Sequence, residues 1–218
     1  MVKHSFFFTL LCLFFFFGMD LGQCQEIQDK ERIISTFTGK VPKKCNIPAT
    51  LFISGRWIDA NLEILKELSK NPLFEIENHG LNHKPCSSIG RSIYGIEGTK
   101  NVDEIFDEIE GNAIKIQNLT GRKPRYYRPG TAYCDEICIE IANALGYEVV
   151  NFSILGDEGG TSSKRRVKDA LLNAPPSSII LLHMNHPESE TAEGLIEAIP
   201  ELKKSDFKFV KLSEYGLK

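Results

Sequence analysis

Residues 47–85 read IPATLFISGRWIDANLEILKELSKNPLFEIENHGLNHKP. Ala49 to Ser54 and Phe74 to Asn78 are short runs rich in apolar and aromatic residues, the composition of strands. Between them Leu62, Leu65 and Leu68 recur three apart, which lines one face of a helix. Strand, helix and strand in immediate succession is the crossover unit of a parallel sheet. The second strand runs straight into His79 and His83, two imidazoles four residues apart beside Gly80.

The same alternation continues outward. Further strand candidates are Arg32 to Phe37, Arg125 to Arg128, Tyr147 to Ile154, Ser178 to His183 and Phe207 to Leu212. Helical spacing joins Val102, Ile105, Phe106, Ile109, Ala113 and Ile116, and again Ile137, Ile141 and Leu145. Gly121 and Gly146 follow these two helices, where a left-handed cap residue is expected. Two more helices are expected at Lys164 to Ala174 and Thr191 to Leu202, the latter strained by Pro200. The fold class is therefore α/β with parallel strands, either an open doubly wound sheet or a barrel. One link breaks the rule. The segment between Phe37 and Ala49, TGKVPKKCNIP, is too short and too proline-rich for an ordinary crossover helix.

The first two dozen residues, a basic start followed by the apolar run SFFFTLLCLFFFFG, read as a secretory leader over residues 1–24. Seven of the fourteen phenylalanines lie there, so the rest of the chain is less aromatic than its composition suggests. LGQC resembles a lipoprotein cleavage box, but Gln23 is a poor residue before a lipidated cysteine, and a plain secreted or periplasmic chain without a transmembrane segment is expected. A net charge of -3 leaves no footprint for nucleic acid, and Lys164, Arg165 and Arg166 read as a solvated helix face. Cys45, Cys86, Cys134 and Cys138 remain beyond the leader and permit two disulfides whose pairing sequence does not assign. Asn118 and Asn151 each open a glycosylation sequon, the second inside an expected strand.

His79, Arg128, Asp157 and His183 each fall at the carboxyl end of an expected strand, the rim where parallel α/β proteins build their sites. Two imidazoles on one loop suit zinc or a similar divalent ion, and with it metal-assisted hydrolysis. Each residue also has a plainer reading. Arg128 could serve a structural ion pair, and Asp157 in GDEGG could be a turn residue. His186 before Pro187 reads as a loop residue, and Tyr133 and Cys134 as the lead-in to a helix whose N-terminus Asp135 and Glu136 favour.

In the order of these motifs the chain resembles the polysaccharide deacetylase family, whose catalytic module is the NodB homology domain. The resemblance runs from about Ile47 to Leu212 and implies a distorted (β/α) barrel over a catalytic domain spanning residues 47–218. By that resemblance His79 and His83 bind the metal. YRPGTAYCDE is similar to the arginine motif, in which Arg128 would orient the catalytic carboxylate while a backbone N–H just after it holds the oxyanion. GDEGGT supplies Asp157, which tunes the general acid, and LLHMNHP supplies His183, the proton donor to the leaving amine.

The family opens with an aspartate motif, commonly T-F-D-D-G, whose first carboxylate is the base. Here residues 25–46 carry Ser35-Thr36-Phe37-Thr38-Gly39, and no Asp or Glu occurs between Glu31 and Asp59, so part of the first β-α unit is missing. Losing a general base costs hydrolysis ~10²–10⁴-fold. The resemblance thus implies a zinc-type, metal-dependent hydrolase removing acetyl groups from N-acetylglucosamine-type glycans, with impaired turnover. The alternative is a glycan-binding relative without chemistry.

Overall fold

A computed structural model of the chain describes residues 6–11 (backbone only), 47–184, 186, 188–205 and 207–214. Two compact units emerge, one built from residues 51–151 and the other from residues up to 50 together with 152 onward. Among the described residues the pairings between these strands are parallel.

In chain order the elements begin with β1 (Phe6–Leu11), β2 (Ala49–Ile53), α1 (Gly55–Ala60), α2 (Leu62–Lys70) and β3 (Phe74–Asn78). They continue with α3 (Val102–Thr120), β4 (Tyr126–Tyr127), α4 (Glu136–Ala144) and β5 (Glu148–Val149). The last are β6 (Ile154–Leu155), α5 (Lys164–Leu172), β7 (Ile179–Leu181), α6 (Thr191–Lys204) and β8 (Phe207–Val210).

Within residues 51–151 the start and stop signals are local. Ser54 caps α1 by accepting from the Trp57 N–H at 3.4 Å. Asn101 caps α3 through the Glu104 N–H at 2.9 Å, and Gly121 closes that helix at φ +74°. The Asp135 carboxylate caps α4 through the Cys138 N–H at 3.0 Å. Burial then joins the elements: Ile105, Ile109 and Ala113 of α3 pack with Tyr127 of β4, Cys138 and Ala142 of α4, and Tyr147. A polar spine fixes strand ends to the helix. Asn112 Nδ2 donates to the Ile53 carbonyl at 2.8 Å and to Asn78 Oδ1 at 2.7 Å, while Asn78 Nδ2 donates to the Ile109 carbonyl at 2.8 Å. Cys86 and Cys138 form a disulfide with Cα atoms 5.9 Å apart, and Cys134 stays a free thiol.

In the other unit β1 runs parallel to β7 (Leu10 opposite Ile180), to β8 (Phe8 opposite Phe209) and meets β2 at Leu11 and Thr50. Residues 6–11, inside the stretch read as a leader, form β1; an unbroken apolar run is the signature both of a leader's core and of a parallel strand. β6 pairs with β7, Ile154 facing Ile180. α6 continues through Pro200 to Lys204.

Two expectations change. The strand expected from Tyr147 to Ile154 is split into β5 and β6, because the Arg128 guanidinium takes the Val150 carbonyl at 3.0 Å and also the Asn151 carbonyl, removing both from a ladder. Asn151 is accordingly exposed rather than inside a strand. The strand expected at Arg32 to Phe37 and the thiol of Cys45 lie outside the described residues.

Candidate active site

His79 follows β3 directly, and its N–H extends the strand by donating to the Ile53 carbonyl at 3.1 Å. Its Nδ1 lies 2.7 Å from the Arg128 carbonyl oxygen. A carbonyl only accepts, so Nδ1 carries the proton and the neutral ring presents its lone pair at Nε2. The His83 ring stands 4.7 Å from that of His79 at 86°. His83 sits at φ +61°, a left-handed conformation that a non-glycine residue adopts only when its surroundings impose it. Two imidazoles side by side, one held by an outer hydrogen bond to carbonyl, fit a divalent ion. Among the described residues no third histidine, cysteine or carboxylate joins them within ligand spacing, and the one such trio is Cys86, Cys134 and Cys138.

The loop between the histidines is shaped from below by Glu108 of α3. Its Oε1 accepts the Asn82 N–H at 2.8 Å and the Lys84 N–H at 3.0 Å, and its Oε2 accepts Asn82 Nδ2 at 3.2 Å. Burial raises this carboxyl above the ordinary carboxylate range, against the pull of those N–H donors. Gly130 also presses on the loop. A Cβ there would lie 2.1 Å from the His83 carbonyl oxygen, so only glycine permits the approach.

Arg128 is fully buried. Its N–H donates to the Asn78 carbonyl at 2.9 Å and its guanidinium lies 4.8 Å from the Phe52 ring centroid. The bonds to the Val150 and Asn151 carbonyls make it a brace for the chain after β5. Thr131 and Ala132 follow at φ +61° and +57°, a strained turn just after the arginine.

In the other unit Asp157 and His183 are brought together. Asp157 is fully buried; its Oδ1 lies 2.8 Å from His183 Nδ1, while its Oδ2 accepts the His183 N–H at 2.6 Å and the Thr191 hydroxyl at 3.2 Å. Its carbonyl closes the turn by accepting from Gly160, Thr161 and Ser162. The carboxylate thus leaves His183 with the proton on Nδ1 and Nε2 for exchange. His186 pairs with Glu188 at 2.9 Å at the exposed edge.

Sequence reading missed Glu108, Asn78, Asn112 and Thr191. The signal for Glu108 was present: a carboxylate on the buried face with Ile105, Ile109, Asn112, Ala113 and Ile116 has to be satisfied by something.

The chain matches the family model described as Polysaccharide deacetylase over residues 25–150. It is 26% identical over 179 residues to the peptidoglycan-N-acetylmuramic acid deacetylase PdaA of Bacillus subtilis (strain 168), covering 80% of this chain and 63% of that protein. It is also 26% identical over 205 residues to a peptidoglycan-N-acetylglucosamine deacetylase of Bacillus cereus, covering 87% of this chain and 90% of that one. Among solved structures, a CE4 family pseudoenzyme from Bacillus anthracis superposes with a TM-score of 0.69 at 21% identity, over 98% of this chain and 66% of that one. The fold is therefore the NodB-type α/β fold. No helix among the described residues is long and apolar enough to cross a membrane.

Proposed function

The chain belongs to the polysaccharide deacetylase family, and from that premise we propose that it is a secreted or periplasmic, divalent-metal-dependent hydrolase that removes acetyl groups from N-acetylglucosamine-type glycans. The observation that supports this reading is the pairing of the two imidazoles 4.7 Å apart, with His79 Nδ1 held 2.7 Å from the Arg128 carbonyl oxygen so that the ring's lone pair is on Nε2. His79 and His83 hold the ion, zinc by the preference of paired imidazoles. A bound divalent ion supplies Lewis acidity toward the acetyl carbonyl and the attacking water. Arg128 keeps the strained turn and the histidine loop in register. Asp157 holds the His183 ring so that Nε2 delivers a proton to the leaving amine as acetate departs.

The test is metal content and acetate release measured together. Purified chain dialysed against zinc should retain one ion per chain and release acetate from acetylated chito-oligosaccharides or peptidoglycan fragments. His79→Ala should lose both; equal rates for wild type and variant would end the reading.

A second reading has its own observation: Ser35-Thr36-Phe37-Thr38-Gly39 stands where the family's base-bearing motif belongs, and it holds no carboxylate. A glycan-binding relative without turnover would then give saturable oligosaccharide binding and no acetate at any zinc concentration. Measurable turnover would exclude it.

A further inference from the structure

Building on the reading of His79 and His83 as metal ligands, we propose that Glu108 is the positioning residue of that site, a buried carboxylate around which the whole HGLNHK loop is wrapped. Four bonds converge on this one residue. Its Oε1 receives the N–H groups of Asn82 and Lys84, which bracket His83, at 2.8 and 3.0 Å. Its Oε2 receives the Asn82 side-chain amide at 3.2 Å, and its own carbonyl receives the Leu81 N–H at 2.8 Å. Residues 81, 82 and 84 are thus all tied to a single helical position.

The geometry explains two features of the loop. His83 keeps φ +61° because the N–H on each side of it points at the same oxygen, which a loop in ordinary extended conformation does not allow. Gly80 is required because a Cβ there would lie 2.5 Å from Glu108 Oε1, at φ +78°. Glu108 is only 2% exposed, so its acceptors are spent on the loop rather than on water. It acts through the backbone that carries the imidazoles. Outer partners of this kind set ligand orientation, and their loss costs metal affinity ~10–100-fold.

The side chain's length and acceptor capacity are what the loop uses. Glu108→Gln keeps an oxygen at the Oε1 position, where it accepts both N–H groups, and the Asn82 amide turns to meet the new NH2. Glu108→Asp keeps the charge and retracts the carboxylate by one methylene. Glu108→Ala removes it.

The experiment measures Co²⁺ affinity by chelator competition, the visible spectrum of the bound ion, and amide exchange at residues 81–84 in the four proteins, with far-UV circular dichroism as the check on folding. Glu108→Ala and Glu108→Asp should each weaken Co²⁺ binding at least tenfold, alter the spectrum and speed exchange at Asn82 and Lys84. Glu108→Gln should stay within about threefold of wild type, near the precision of a competition assay, and keep the spectrum. Wild-type affinity in Glu108→Asp, or a Glu108→Gln variant as weak as Glu108→Asp, would overturn the assignment. Should Glu108→Ala not fold, the Asp and Gln pair still decides. Should the wild type bind no Co²⁺, the metal-site reading falls by itself, and the clamp is judged on exchange alone: unchanged protection at Asn82 and Lys84 in Glu108→Asp overturns it, and lost protection upholds it.

Discussion

Replacing Asp157 by asparagine changes one atom at a fully buried position and should invert the tautomer of His183. In the native arrangement Oδ2 accepts two donors, the His183 N–H at 2.6 Å and the Thr191 hydroxyl at 3.2 Å, and Oδ1 faces His183 Nδ1 at 2.8 Å. Asparagine has one oxygen. The backbone N–H cannot become an acceptor, so that oxygen stays at the Oδ2 position and the NH2 faces Nδ1. An NH2 needs an acceptor there, so the ring proton moves to Nε2 and the imidazolium loses its carboxylate partner. One charge-assisted bond, about 1.5–3 kcal/mol, becomes a neutral one, about 0.5–1.5 kcal/mol, a loss of about 1–1.5 kcal/mol. At about 2–4 °C per kcal/mol for a chain of this size, the midpoint should fall by about 2–6 °C. Turnover should drop by ~10²–10⁴-fold, the weight of a positioned proton donor. Nitrogen-15 spectra of labelled histidine read the tautomer directly, with thermal unfolding and acetate release beside them. A variant whose His183 keeps its proton on Nδ1 would refute the hydrogen-bond argument. An inverted ring with wild-type turnover would refute the role of His183.

Breaking the disulfide by Cys86→Ser or Cys138→Ser should cost about 4 kcal/mol from the 52-residue separation it closes, read by urea unfolding; Cys134→Ser should cost less than about 1.5 kcal/mol. Gly130→Ala drives a Cβ to 2.1 Å from the His83 carbonyl oxygen, backbone that cannot yield, and should lower stability by about 2–4 kcal/mol and weaken metal retention. Burial pushes the Glu77 carboxyl up to about 8, although its Oε2 accepts the Arg125 and Tyr126 N–H groups at 2.8 and 2.6 Å. The folded chain then binds one more proton than the unfolded chain between pH 4.5 and 8. Its contribution is fully present below the unfolded value and is lost as pH rises through the folded one, a fall of at most about 5 kcal/mol. Chemical unfolding across that range should show the slope, and Glu77→Gln should remove Glu77's share of it.

Much of this was legible in residue order because it is local. β3 is the run Phe74 to Asn78 as read, since its composition and the flanking turn residues decide it, and α3 ends at Gly121 as its cap position requires. His79, Arg128, Asp157 and His183 announce themselves as polar residues at strand ends. The spacing of Ile105, Ile109, Ala113 and Ile116 likewise specifies a buried helix face before any coordinates are known.

What required tertiary structure are the features made by partners far apart in the chain. The split of the expected strand into β5 and β6 depends on a guanidinium more than twenty residues upstream taking carbonyls that a ladder would have used. The choice of Cys138 over Cys134 as the partner of Cys86 depends on how the chain before α4 and the first turn of that helix meet the loop that carries Cys86. The tautomers of His79 and His183 depend on oxygens brought to them by Arg128 and Asp157. Apolar periodicity is written into neighbouring residues, whereas a hydrogen bond is satisfied by whatever folding delivers. Residue order therefore determined the α/β elements and the residues that can do chemistry, and only packing decided which nitrogen holds the proton and which carboxylate holds the loop.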